Sequence, residues 1–194
     1  LGGVAAGLNR IKVSALGAGS AMRMLGPLLA VIVTGKVIKD IITTNARFED
    51  LRTTLSTVEG SAQGGAAAFD RISKFATKTQ FGVEDLTTTF IKLSTSGIEP
   101  TDKLLTTFSN AAAVTTDQVG TLSALTDVYT RSLASGQVEL QEFDKLQDRG
   151  LPVYDILKQK LGVTRNELGK FSKETGNTEL ILRTLSETIE ERYG

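Results

Sequence analysis

Residues 86–102 read LTTTFIKLSTSGIEPTD, and this stretch decides the fold class. Leu86, Phe90 and Leu93 recur at helical spacing with threonine and lysine between them, which predicts one apolar face of a short helix. Gly97 then supplies a stop, and Pro100 with Thr101 opens a new helix that has Asp102 in its first turn. Helix, stop and restart within seventeen residues predict short helices joined by tight turns.

The same grammar extends in both directions. Upstream, Phe69, Ile72 and Ala76 form a stripe with Phe75 beside it. Downstream, stripes fall on Leu104, Phe108 and Ala112, then on Leu122, Leu125 and Tyr129 with Val128. Shorter ones follow at Leu140, Phe143 and Leu146, at Val153, Ile156 and Leu157, at Leu168 and Phe171, and at Ile181, Leu185 and Ile189. The punctuation agrees. Thr116 and Asp117 read as a helix start, Gly150 and Pro152 as a stop and restart, and Thr164 with Glu167 as a capping box. Gly162 and Gly176 read as the ends of the flanking helices. Residues 45–194 are therefore expected to form a compact all-α domain of about seven or eight short helices. The chain holds 25 threonines, several of them inside these helices, so the helices must depend on tertiary packing rather than on propensity. No heptad pattern persists, which excludes a long coiled coil here.

Residues 1–44 differ in composition. This preceding segment is apolar and rich in small residues, and it too reads as helical. Gly3 with Gly7, and Gly17 and Gly19 with neighbouring alanines, have the spacing that lets helix backbones approach closely. Leu28, Leu29, Val31, Ile32 and Val33 form an apolar run, but the uncharged stretch 24–35 is only twelve residues long. A span needs about 20. Three readings stand: a buried, self-associating helix, a membrane segment in which Arg23 reaches a polar surface, and, last, a strand. Ile11–Leu16 with Gly17, Gly19 and Asp40 imitates a dinucleotide fingerprint, yet Met22 occupies the third small position and no strand–helix alternation follows. The chain begins at Leu1 rather than Met, as expected for a piece of a longer protein.

Composition removes most enzyme classes. The chain has no His, no Cys and no Trp. Imidazole-based nucleophile triads and ordinary zinc or iron–sulfur ligand sets are thereby excluded. The net charge of zero is uneven: residues 1–44 carry Arg10, Lys12, Arg23, Lys36 and Lys39 against Asp40 alone, leaving 17 basic and 21 acidic groups beyond. A slightly acidic folded part is a poor match for nucleic acid. Carboxylate-only glycosidase chemistry needs two acids, for which Glu139, Glu142 and Asp144 are candidates. The simpler reading makes them the solvated face of a helix. Arg149 reads as a last-turn cation at a helix C-terminus.

An ordered set of phrases runs through the chain. Phe48-Glu49-Asp50-Leu51 comes first, then Val58-Glu59-Gly60-Ser61, and Ala67 to Phe69 with Phe75-Ala76. Thr79-Gln80-Phe81, Phe90-Ile91-Lys92-Leu93 and Gly97-Ile98-Glu99-Pro100-Thr101 follow in order. Gly136-Gln137-Val138, Glu142 to Leu146 and Arg149-Gly150-Leu151-Pro152 complete it. From Phe48 to about Gly176 the sequence resembles the N-terminal domain of phage tail tape measure proteins. It departs from that pattern at Gln80, where the family commonly has Pro, and at Leu151, where Ile is usual.

The resemblance implies a structural role in the virion, in the tail lumen or tip, where the protein sets tail length and aids genome passage through the host envelope. It implies assembly in the host cytoplasm, with partners that are other copies of itself (a trimer fits the family), tail tube and tail tip proteins, and tail assembly chaperones. A host membrane is a further candidate partner. No specific nucleic acid, cofactor, metal or catalytic residue is implied. The residues it singles out are Phe48, Leu51, Phe69, Phe75, Phe81, Phe90, Leu93, Gly97, Pro100, Arg149, Gly150 and Pro152. The alternative from a different class is a membrane-active helical protein, a pore-former or effector, motivated by the apolar and basic residues 23–39.

Overall fold

The computed structural model describes residues 35–194, with side-chain environments from Ala46 onward. The chain divides into two units, Leu1–Asn45 and Ala46–Gly194. Gly3, Gly7, Gly17, Gly19, Leu28, Leu29, Val31, Ile32 and Val33 lie outside the described residues.

Among the described residues there are nine helices and no strand, an all-α fold as the periodicity predicts. They are α1 (Gly35–Val58), α2 (Ala62–Ala76), α3 (Val83–Thr95), α4 (Asp102–Ala113) and α5 (Gln118–Ser135). The shorter α6 (Leu140–Asp148), α7 (Val153–Leu161) and α8 (Arg165–Phe171) lead to α9 (Asn177–Tyr193). The starts follow capping chemistry. Ser61, Thr101 and Asp117 each accept a backbone N–H three residues on, from Gly64, Leu104 and Gly120 at 3.0, 3.1 and 2.9 Å. At α8 the Thr164 N–H donates to the Glu167 carboxylate at 3.0 Å. Gly97, Gly150 and Gly162 take positive φ past the ends of α3, α6 and α7. Gly176 departs from expectation. Helix α8 stops at Phe171 with Ser172 as its cap, and Gly176 instead opens α9.

Helix α5 is the centre of the domain, packed by α3, α4, α6 and α9. Thr121, Leu122, Ala124, Leu125, Thr126, Val128, Tyr129 and Ser132 are all buried, so little of its circumference is left for solvent. Its small and β-branched residues let neighbouring helices approach. The Thr126 hydroxyl is satisfied within the helix by donating to the Leu122 carbonyl at 2.8 Å. The buried Tyr129 hydroxyl donates to Leu182 O on α9 at 2.7 Å and also bonds Ser186. Loss of contact with water raises its pKa above the usual phenol value.

Helix α1 attaches by a narrow stripe. Phe48 meets Phe69 edge-on with ring centroids 6.1 Å apart, the Arg52 guanidinium lies 4.4 Å over the same ring, and Leu55 is fully buried. Phe48, Leu51 and Phe75 are only half-buried, whereas Phe69, Phe81, Phe90 and Leu93 are core.

Candidate functional site

Two of the phrases noted in the sequence become clamps between helices. In the first, Gly97 turns the chain at φ +76° and Ile98 N–H returns to Leu93 O at 3.0 Å. Pro100 is buried, and its carbonyl accepts the Arg71 Nη2 of α2 at 2.8 Å. The same guanidinium sits 5.1 Å from the centroid of the Phe90 ring, so Arg71 ties α2 to the α3–α4 turn. In the second clamp, Gly150 turns at φ +94°, and the following Leu151 is completely buried. Arg149 Nη1 donates to Lys145 O at 3.0 Å, the C-terminal contact its position predicts, and Nε donates to Asp117 Oδ2 at 3.1 Å. Asp117 thus caps α5 with one oxygen and anchors the α6–α7 turn with the other. The Gly120 N–H first, and Arg149 second, hold its carboxyl below the usual carboxylate range.

The acids weighed for hydrolysis have other partners. Glu142 is not on a solvated face: it is 3% exposed, and both its oxygens bond Lys145 Nζ, at 2.8 and 2.9 Å. Arg131 Nη1 approaches it from α5 at 3.2 Å and Glu139 at 3.8 Å. The helix period places Glu142 beside Phe143 on the inner side of α6, and two cations make that burial tolerable. Neither oxygen is free to face a sugar. Asp144 accepts both Nε and Nη2 of Arg165, at 2.8 and 2.6 Å, together with the Tyr154 hydroxyl at 2.7 Å. This joins α6, α7 and α8.

The Asp144 clamp has a pH signature. Hydrogen bonds from Arg165, then from Tyr154, hold its carboxyl down from the ordinary 3.8 to about 2. A depressed carboxylate contributes stability that is present above its unfolded pKa and is lost as pH falls through the folded one. Between pH 4 and 2 the parent chain should therefore lose stability more steeply than Asp144→Asn, as read by thermal melts across that range. Parallel curves would remove the clamp from the account. Asp144 and Arg165 keep side-chain exposures of 34% and 50%, so water screens the effect.

What remains for contact with other molecules is surface. Val114 and Val119 are 53% and 51% exposed on either side of the Thr115–Asp117 turn, and Leu133 is 39% exposed on α5. Sequence periodicity could not single them out, because they lie beside a turn or off the buried stripe. A groove of about 340 Å³ runs between α4 and α9 past Leu104, Arg183 and Glu187. A smaller one lies between α3 and α5 beside Val119. Among the described residues no cluster of acids could hold a metal ion, and no helix is long and apolar enough to cross a membrane.

A sequence profile described as "Tape measure protein" matches residues 39–177. The chain is also 24% identical over 172 residues to the "Mu-like prophage FluMu protein gp42" of Haemophilus influenzae (strain ATCC 51907 / DSM 11121 / KW20 / Rd). That alignment covers 87% of this chain and 25% of the relative, so the chain spans a quarter of the length of that protein. No solved structure matches it.

Proposed function

Because this chain belongs to the tape measure protein family, we propose that it is a docking module of a tail-length ruler in a phage tail. The supporting observation is that the matched segment takes in the whole of α2 to α8 of a folded domain. Residues 39–177 run from within α1 to the first residue of α9. A ruler must be long, and an α-helix advances only about 1.5 Å per residue. The longest described helix has 24 residues, about 36 Å by that rise, and α2 to α9 fold back on one another. Such a domain adds little length. Its role is to hold an end of the measuring protein, by binding other copies of itself and the tube, tip and assembly proteins of the tail. Length is then measured by sequence outside residues 46–194.

In this reading residues 1–44 supply self-association through their small residues. The apolar run 28–33 is the part that would meet a host membrane during genome passage. In this reading the domain acts by binding: Glu142 is paired with Lys145 of its own helix and Arg131 of α5, and Asp144 clamps α6 to α8 through Arg165.

The test is tail length. In-frame deletions in the parent gene outside residues 46–194 should shorten tails in electron micrographs by about 1.5 Å per residue removed. The chain should also be found in purified tails by mass spectrometry. Tails of unchanged length, or tails lacking this polypeptide, would overturn the proposal.

A further inference from the structure

We propose that the 46–58 stretch of α1 is an exchangeable element. In a pair of chains, each would lay this stretch against α2 of the other, so that the copies associate by trading α1. Two observations carry this, and neither depends on the tail reading.

The first is how α1 is held. Its described contacts lie along one stripe, Phe48, Arg52 and Leu55, with Phe48 and Arg52 both on the Phe69 ring of α2. Ser56 meets Gly65 of α2 backbone to backbone: a methyl group at Gly65 would stand 2.5 Å from Ser56 N. Beyond α2 there is the Arg47–Glu84 ion pair at 3.6 Å, with both partners more than half exposed. Phe48, Arg52 and Ser56 thus hold α1 through contacts with α2 that a second chain can reproduce residue for residue.

The second is the turn. Glu59 N–H still bonds Leu55 O with helical spacing at 2.8 Å, and Gly65 N–H already bonds Ser61 O at 3.0 Å. Gly60 at φ +72° and Ser61 at φ −160°, ψ 152° depart from helical angles. Returning these two residues to the helix fuses α1 with α2. That adds backbone hydrogen bonds across the turn, gives up the Ser61 cap, and lifts α1 off its own α2. The fused helix exposes Phe48 and Ser56 on one arm and Gly65 and Phe69 on the other. A second opened copy presents both complements. Short hinges between exchangeable elements are the usual setting for such swaps.

Gly60→Ala tests the hinge in the full chain. A left-handed alanine is disfavoured by roughly tenfold. A swapped pair relieves it at two hinges, so the dimer association constant should rise about a hundredfold, read by size exclusion with light scattering. Inserting Gly-Ser-Gly-Ser after Gly60 should relax the hairpin and lower the dimer below the parent level.

Absence of native cysteine permits a direct check. One chain carries Ser56→Cys and another Ala66→Cys, and the two are unfolded together, refolded at high concentration and treated with a short bis-maleimide. Swapping gives a cross-linked heterodimer. A dimer that does not cross-link associates through another surface and overturns the proposal, as does a Gly60→Ala chain that folds and stays monomeric. If Gly60→Ala fails to fold, the cross-link between otherwise unaltered chains decides.

Discussion

Phe108→Ala is expected to lower the stability of the domain by about 3–5 kcal/mol, the range for removing a fully enclosed aromatic ring. Phe108 has no exposed surface, and its ring packs edge-on against Tyr129 with centroids 4.8 Å apart at 65°. It lies where α4 meets α5, and Tyr129 passes the connection on to α9 through Leu182 O. The cavity therefore opens between two helices in extensive contact. For a domain of this size the loss corresponds to a fall in Tm of roughly 6–20 °C. Phe75→Ala, at a half-buried ring, should cost well under half as much. Chemical denaturation of the two variants beside the parent decides. A loss below about 1 kcal/mol at Phe108 would mean that the site collapses freely and the packing account is wrong.

The second large effect is local. Gly65→Val should detach the 46–58 stretch of α1 while leaving α3 to α9 assembled. The added Cβ would stand 2.5 Å from Ser56 N and 2.6 Å from Ser56 Cα, and neither is the end of a flexible side chain that can swing away. Overpacking of this kind typically costs about 1–3 kcal/mol. Here that cost falls on a helix held by one stripe, so the helix yields rather than the core. Limited proteolysis should cut near Arg47 and Arg52 in the variant and spare the parent. Hydrogen exchange should quicken in 46–58 and stay slow in α5. Uniform destabilisation of all helices would show that α1 belongs to the core.

Much of this was legible in the sequence because the determinants are local. The stripes at Leu86, Phe90 and Leu93 and at Leu122, Leu125 and Tyr129 mark buried faces, and Thr101 and Asp117 act as caps within three residues of themselves. The phrases around Gly97 and Gly150 could be read as turns. Their second task, clamping through Arg71 to Pro100 and Arg149 to Asp117, spans 29 and 32 residues and has no periodic trace. The burial of Glu142 is hidden in the sequence for the same reason. An acid on a short helix defaults to solvent unless cations arrive from elsewhere, and Arg131 comes from a different helix. Gly176 opens α9 rather than closing α8, and the sequence does not distinguish the two because a glycine at positive φ can follow one helix or precede the next. Surface contacts leave even less trace, since Val114 and Val119 are single apolar residues beside a turn.

The central position of α5 has a consequence for synthesis. Its partner α9 is the last helix of the described chain, and Ile181, Leu185 and Ile189 on α9 are buried with α4, α5 and α7 as its neighbours. On the ribosome, Tyr129 emerges well before the carbonyl of Leu182 that receives its hydroxyl. At about 5–20 residues per second, Ile189 follows Tyr129 by roughly 3–12 s. For that interval the nascent domain has an open seam along α5 at Tyr129, whose partners Leu182 and Ser186 on α9 have yet to be made. A holding factor acting during translation would find its apolar target there, and lose it once α9 is released.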